Sequence, residues 1–143
     1  MSLNTEHLLR TIATLEQAMI ALQDATADSV RYDLFRNAAI KSFELSLETA
    51  GKLLRKALKA YGGSPRAVDD LVFNDVLRHA GKHSLLDMAG VERWLEYRAN
   101  RNTTAHDYGE GFANETVKLL PAYIEDARAL AQILQRKFDE AAG

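Results

Sequence analysis

The chain has 143 residues with a formal net charge of −2, and 47% of the residues are hydrophobic and 27% charged. This balance excludes a disordered or collagen-like protein, and the length predicts one domain over residues 1–143. The absence of cysteine excludes disulfide bonds, thiolate metal sites and cysteine nucleophiles. Because the chain is slightly acidic overall, RNA or DNA binding would require a local cluster of cations.

The sequence shows no export or membrane signal. The first residues, Met1–Glu6, lack the basic flank and apolar core of a signal peptide. The longest apolar runs are a few residues long, whereas a membrane-spanning helix needs about 20. We therefore expect a soluble cytoplasmic protein with no membrane partner.

Two long hydrophobic stripes predict the first two helices. Over residues 5–25, apolar side chains recur at alternating steps of four and three residues. A second stripe covers residues 29–61 and ends at Gly62-Gly63, where glycine readily takes the left-handed conformation. At about 1.5 Å per residue this helix is about 50 Å long. Either it bends near Gly51 or its end projects into a partner.

Capping residues mark the next two predicted helices. Ser64-Pro65 is a typical helix start, and the helix that follows stops near Gly81. Asp87 caps a fourth helix, which runs to about Ala105 and is broken by the glycines at 109 and 111.

A packing seam with steps of three and four residues predicts the last helix, over residues 117–138. Pro121 falls inside it and predicts either a kink or a start one turn later. No segment shows the alternation of a strand. The chain is therefore predicted to be an all-α, antiparallel up-and-down bundle of four to five helices.

Most motifs of catalytic and metal sites are absent. The sequence contains no glycine-rich phosphate loop and no nucleophile elbow. His79 and His83 are four residues apart, but Gly81 between them is expected to end their helix. We therefore expect no metal site and no cofactor.

One segment, Arg93–Tyr108, concentrates polar and aromatic side chains. Its sixteen residues include three arginines, two asparagines, a histidine and two tyrosines. Burying such groups without partners would cost about 1–3 kcal/mol each. We therefore expect them to face solvent, a cleft or another chain.

Helical geometry separates the residues of this segment. At about 100° per residue, Arg98, Asn102 and His106 form one ridge, and Arg101 lies on another face. Arg101 and His106 converge if the helix loosens near residues 103–104, or if a symmetry mate brings a second copy of each. The spacing therefore favours a site at the two-fold interface of a homodimer.

These residue types suit phosphodiester chemistry without a metal. Histidine titrates near neutral pH and serves as a general acid or base, and arginine stabilises negative charge on phosphate oxygens. RNA supplies its own nucleophile, the 2′-hydroxyl. The alternative is an exposed, salt-bridged helix end, where His106 complements the helix dipole.

The same segment resembles the motif of the HEPN superfamily, in particular of small members that pair with MNT-type nucleotidyltransferases. Their signature is Arg, four residues, His, one residue and Tyr, and Arg101, His106 and Tyr108 match it. The Arg-Asn pair that opens the motif is matched by Arg101-Asn102. Further similarity lies upstream, in Phe43-Glu44, Ser64-Pro65-Arg66 and Trp94. It covers about residues 30–125.

The resemblance implies a five-helix bundle, a two-fold dimer with a cleft lined by the motif, and one of two functions. HepT-like toxins are ribonucleases, neutralised when a partner nucleotidyltransferase adenylylates the motif tyrosine. Nucleotidyltransferase substrate-binding subunits have no established catalysis, and the upstream details look more like this second group. We predict the ribonuclease toxin of a toxin–antitoxin pair, with the non-catalytic subunit as the alternative and a scaffolding bundle as a third reading.

The resemblance also implies roles for individual residues. Arg101 would stabilise phosphate, His106 would be the acid and base, and Tyr108 would accept the modification. Asn102 would support them, as would Arg98. No nucleotidyltransferase motif is present in the chain, so a separate polypeptide would perform any nucleotidyl transfer.

Glu44 and Glu48, one turn apart on the second helix, are candidates to orient the histidine or an arginine. The alternative is that both are surface carboxylates in ion pairs.

Overall fold

The computed structural model describes residues 3–62, 64–104 and 110–139. These ranges contain helices and no strand, as predicted for an all-α protein. The helices are α1 (Glu6–Asp24), α2 (Val30–Lys59), α3 (Pro65–Asp69), α4 (Phe73–Lys82), α5 (Met88–Thr104) and α6 (Glu110–Asp139). Within the described ranges, none of them combines the length and hydrophobicity needed to cross a bilayer.

Helix α2 lies at the centre of the bundle because its apolar residues are buried by several neighbours. It packs against α1, α4, α5 and α6, and α6 also packs against α1 and α5. The predicted stripe of α1 faces this core, with Leu8, Ile12 and Leu15 almost fully buried. The bundle therefore forms from the stripes that the sequence predicts.

The helix predicted from Ser64 to Gly81 is two helices, α3 and α4. Val72 between them has an extended backbone (φ −70°, ψ 157°). This turn brings the ring of Phe73 against α2 at Gly51, where a Cβ atom would lie only 2.5 Å from the ring. Helix α2 is continuous through Gly51, and the glycine makes room for this close approach.

The helix ends agree with the sequence in part. Gly62 has a φ of +96° just after α2, as expected for a glycine that ends a helix; Gly63, Ala105 and Gly109 lie outside the described residues. Asp87 caps α5 by accepting a hydrogen bond from the Gly90 amide at 2.5 Å.

The predicted start of the last helix is wrong. Helix α6 begins at Glu110 and continues through Pro121, so Gly111 lies within a helix and does not break one. Proline removes one backbone hydrogen bond, which a helix of 30 residues tolerates when a buried seam holds it. That seam includes Leu120, Ala127 and Leu134, which are fully buried.

An aromatic cluster joins α2, α5 and α6. The ring of Tyr123 lies 4.9 Å from Phe43, 5.4 Å from Trp94 and 5.3 Å from Tyr97, in edge-to-face contacts. Its hydroxyl donates a hydrogen bond to Ser46 at 2.7 Å. Tyr97 is therefore a core residue, which corrects the expectation that the polar residues of its segment face solvent, a cleft or another chain.

This cluster makes the fold sensitive to alkaline pH. Burial raises the pKa of the Tyr123 phenol, whereas an unfolded tyrosine titrates near 10. Above pH 10 the folded state therefore keeps a proton that the unfolded state loses, and the free energy of unfolding should fall by about 1.4 kcal/mol per pH unit from this residue. Urea denaturation of Tyr123→Phe, measured at several pH values, should show a shallower fall. An equal fall in the free energy of unfolding for the wild type and Tyr123→Phe would contradict this prediction. Tyr61→Phe, at an exposed position, is the control.

Candidate functional site

A groove of about 540 Å³ lies between α2, α4 and α5. Helix α2 forms its floor, the first residues of α4 form one wall, and two arginines of α5 form the other. Its lining residues are Glu44, Leu47, Glu48, Gly51, Lys52, Arg55, Val72, Phe73, Arg98 and Arg101. Four of the candidate residues singled out in the sequence are therefore brought together here: Glu44, Glu48, Arg98 and Arg101.

Glu44 and Arg101 face each other across the inner end of the groove. The Glu44 side chain is only 6% exposed, and its Oε1 atom lies 3.9 Å from Nη1 of Arg101. Glu48, one turn further on, is 65% exposed and lies 3.9 Å from Lys52. Glu44 thus adjoins the motif arginine, whereas Glu48 has the geometry of a surface ion pair.

The Glu44 carboxylate is incompletely satisfied. Among the described residues no donor forms a hydrogen bond with its buried Oε1 atom, and Oε2 lies 4.0 Å from the exposed amine of Lys41. A buried acceptor without a donor costs about 1–3 kcal/mol. Glu44 is therefore poised to accept a hydrogen bond from a group that enters the site.

Glu44 also lines a second cavity, of about 410 Å³, on its other side. Arg36, Lys41 and Ala113 are among the residues around this cavity. The Nε atom of Arg36 is buried there and has no hydrogen-bond partner among the residues that the structure describes. One carboxylate thus lines two cavities that also contain cationic side chains.

Arg98 belongs to the wall of the first groove that α5 forms. Its guanidinium carbon lies 4.8 Å from the centre of the Phe73 ring, a cation–π distance. Arg93, the first arginine of the same segment, is directed elsewhere, because its Nε and Nη2 atoms each donate to Asp126 at 2.9 Å. Tyr97 donates to the same carboxylate at 2.6 Å, so Asp126 ties α6 to α5.

The remaining motif residues fall at the edge of what the structure describes. The backbone of Asn102 belongs to the last turn of α5, and its side chain is not among the described groups. His106 and Tyr108 lie outside the described residues. In the described part of the chain, no three His, Asp or Glu residues form a group that could hold a metal ion.

Three groove residues were not singled out in the sequence: Lys52, Arg55 and Phe73. For the two cations the signal was present, because residues 44, 48, 52 and 55 follow one face of α2 at helical spacing. Arg55 also donates to the Val68 carbonyl at 3.0 Å, which holds α3 beside α2. Phe73 had no such signal, since the break between α3 and α4 was not predicted.

The sequence shows which protein family the chain belongs to. The family model "nucleotidyltransferase substrate binding protein like" matches residues 3–136. The chain belongs to this family. The match spans all six helices except the end of α6, so the groove and the motif segment both lie within the family domain.

The proteins to which this chain is similar carry names of two kinds. The chain is 27% identical over 139 residues to a probable ribonuclease HepT of Haemophilus influenzae, with 94% of each chain covered. It also superposes on a Haemophilus influenzae structure described as the fold of a nucleotidyltransferase substrate binding domain. That TM-score is 0.81 at 22% identity, with 92% of this chain and 99% of the other covered.

A second similar structure is a complex. It is a tri-AMPylated HEPN toxin of Shewanella oneidensis with its MNT antitoxin. The TM-score is 0.66 at 14% identity, and the match covers 94% of this chain and 99% of that one. At this identity the likeness establishes a shared fold.

Proposed function

We propose that this family member is a metal-independent endoribonuclease, the toxin of a cytoplasmic pair whose other member is an MNT-type nucleotidyltransferase. One observation carries the proposal: Arg101, which opens the Arg-Asn-x₃-His-x-Tyr motif, adjoins the buried Glu44 in a groove where cationic side chains outnumber carboxylates. The relative named as a probable ribonuclease HepT supports the same activity.

The proposed reaction uses the 2′-hydroxyl of the RNA. His106 takes the proton of that hydroxyl, and the 2′-oxygen attacks the adjacent phosphorus atom. The 5′-oxygen of the next nucleotide leaves and takes up a proton from a protonated His106, so the products are a 2′,3′-cyclic phosphate and a 5′-hydroxyl. Arg101 stabilises the negative charge that develops on the phosphate oxygens, and Asn102 orients the reacting groups.

In this proposal Glu44 is a positioning residue and the site is shared between two copies. Its carboxylate holds the Arg101 guanidinium at the inner end of the groove. If the helix continued regularly to residue 106, Arg101 and His106 would lie on different faces, and the two motifs of a homodimer would supply the two groups.

The proposal is tested by incubating the purified chain with a mixed RNA pool in excess EDTA. We expect fragments with 2′,3′-cyclic phosphate ends, since the mechanism needs neither metal nor water in its first step. A folded, dimeric protein that cleaves nothing would reject the ribonuclease.

The second candidate function is a non-catalytic subunit that presents substrate to the nucleotidyltransferase. The family description and the upstream residues Phe43-Glu44 and Trp94 favour it. It predicts no RNA cleavage and a stable complex with the partner chain.

Both candidates predict modification of Tyr108. With the partner nucleotidyltransferase and ATP, mass spectrometry should find AMP on the peptide that contains Tyr108, and no AMP there in Tyr108→Phe. Tyr61→Phe, a tyrosine change far from the motif in sequence, should be modified like the wild type. Equal AMP incorporation by Tyr108→Phe would refute this site. The AMPylated toxin among the structural relatives motivates the experiment.

A further inference from the structure

We propose that the groove between α2, α4 and α5 is a subsite for an unpaired ribonucleotide next to the cleaved bond. The base would stack on the Arg98–Phe73 pair, and Lys52 and Arg55 would neutralise the phosphate that follows it. This inference rests on the proposed function, to which it adds the substrate class, single-stranded RNA, and the residues that select it.

The charge of the groove is the first reason. Its lining contains four cationic side chains, Lys52, Arg55, Arg98 and Arg101, and two carboxylates, Glu44 and Glu48. The surplus is positive although the whole chain carries a formal charge of −2. A cationic groove in an acidic protein attracts a polyanion to one place on its surface.

The second reason is a flat platform in the groove. The Arg98 guanidinium lies 4.8 Å from the centre of the Phe73 ring, and the ring itself is wedged against Gly51. Proteins that recognise single-stranded RNA stack unpaired bases on aromatic rings and on arginine planes. A base in a duplex cannot reach such a platform, so the pair favours unpaired RNA.

The third reason is the unsatisfied carboxylate at the inner end. Oε1 of Glu44 accepts no hydrogen bond from the described residues. A ribose hydroxyl is a neutral donor that satisfies this atom, whereas deoxyribose lacks the 2′-hydroxyl. The groove volume of about 540 Å³ is within the range of small-molecule sites, about 300–1,000 Å³.

Fluorescence anisotropy with labelled oligonucleotides tests the subsite. The probes are a 12-nucleotide single-stranded RNA, the same RNA paired with its complement, and DNA of the same sequence. All titrations use the full chain carrying His106→Ala, which blocks the proposed cleavage, in excess EDTA and over a series of salt concentrations. We expect the single-stranded RNA to bind most tightly.

Two groove variants should change binding in different ways. Lys52→Gln should reduce the slope of log K against log salt by about 0.7, the value for one phosphate contact on a single strand. Phe73→Leu should weaken binding about tenfold with an unchanged slope, because it removes stacking and no charge. Lys56→Gln is the matched control, since Lys56 is exposed on the same helix and does not line the groove.

Several results would overturn the subsite. These are equal salt slopes for Lys52→Gln and Lys56→Gln, unchanged affinity of folded Phe73→Leu, or equal binding of duplex and single strand. Lys52 is exposed, so Lys52→Gln should fold. Its salt slope therefore tests the subsite even if Phe73→Leu does not fold.

A parallel cleavage assay separates this inference from the proposed function. If the chain without His106→Ala cleaves RNA and the groove variants bind as their parent does, the subsite is wrong and the ribonuclease stands. If that chain cleaves nothing while binding depends on Lys52 and Phe73, the ribonuclease is wrong and the subsite stands.

Discussion

Replacement of His106 by alanine should lower the rate of RNA cleavage in excess EDTA by at least about 100-fold. General acid–base catalysis contributes about 10²–10⁴-fold to such reactions, and histidine is the residue type of the motif best suited to that role. The measurement is the initial rate of cleavage of a single defined RNA, at equal concentrations of folded protein.

His7→Ala is the matched control for this experiment. His7 is exposed in the first turn of α1 and lies outside the groove and the motif. Its loss should leave the rate unchanged. If His106→Ala cleaves as fast as His7→Ala, His106 is not the acid or base, and a contaminating nuclease becomes the simplest source of any cleavage.

Glu44→Gln should lower kcat about 100-fold and leave KM nearly unchanged. The substitution keeps the size of the side chain and removes the charge that faces Arg101 at 3.9 Å. A catalytic group displaced by about 1 Å can cost about 100-fold in rate. Because glutamine keeps a side-chain oxygen that can accept the ribose hydroxyl but not the charge that faces Arg101, the loss should appear mainly in kcat.

Glu48→Gln provides a close control on the same helix. Its carboxylate is 65% exposed and pairs with Lys52, so its loss should change kcat less than threefold. In an Arg101→Lys background, Glu44→Gln should add little further loss, because both changes disable the same pair. Equal effects of Glu44→Gln and Glu48→Gln, or full additivity with Arg101→Lys, would show that Glu44 does not position Arg101.

The fold was predictable from the sequence where one physical signal dominates. The apolar stripe of α1 and the seam of α6 are periodic over many turns, and burial of such stripes determines a helical bundle. Prediction failed where tertiary contacts override local signals. Helix α6 begins at Glu110, about two turns before the seam from which it was predicted, and the helix after Ser64 is interrupted where the Phe73 ring packs against Gly51.

The candidate site was predictable only in outline. The motif identified Arg101, and Glu44 and Glu48 were together candidates to orient the histidine or an arginine, or were surface carboxylates in ion pairs. Neither signal separates a buried carboxylate from an exposed one a single turn away, because Glu44 and Glu48 have the same local sequence character. Their difference lies in their surroundings, since Glu44 is buried beside Arg101 of α5 and Glu48 is 65% exposed. Phe73 reaches the groove because Val72, between two short helices, has an extended backbone. Sequence periodicity does not indicate such a break.

The two helices that flank the motif are held to each other by contacts that do not involve it. Asp126 of α6 binds Arg93 and Tyr97 of α5, and Thr116 donates to Asn100 at 2.9 Å. Helices α5 and α6, which residues 105–109 connect in the chain, are therefore held together by contacts outside the motif. In evolutionary terms, this separation would let a lineage lose His106, and with it the proposed nuclease activity, at little cost to folding and keep the bundle as a binding partner. A natural variant without the histidine should then melt at nearly the same temperature as an active one.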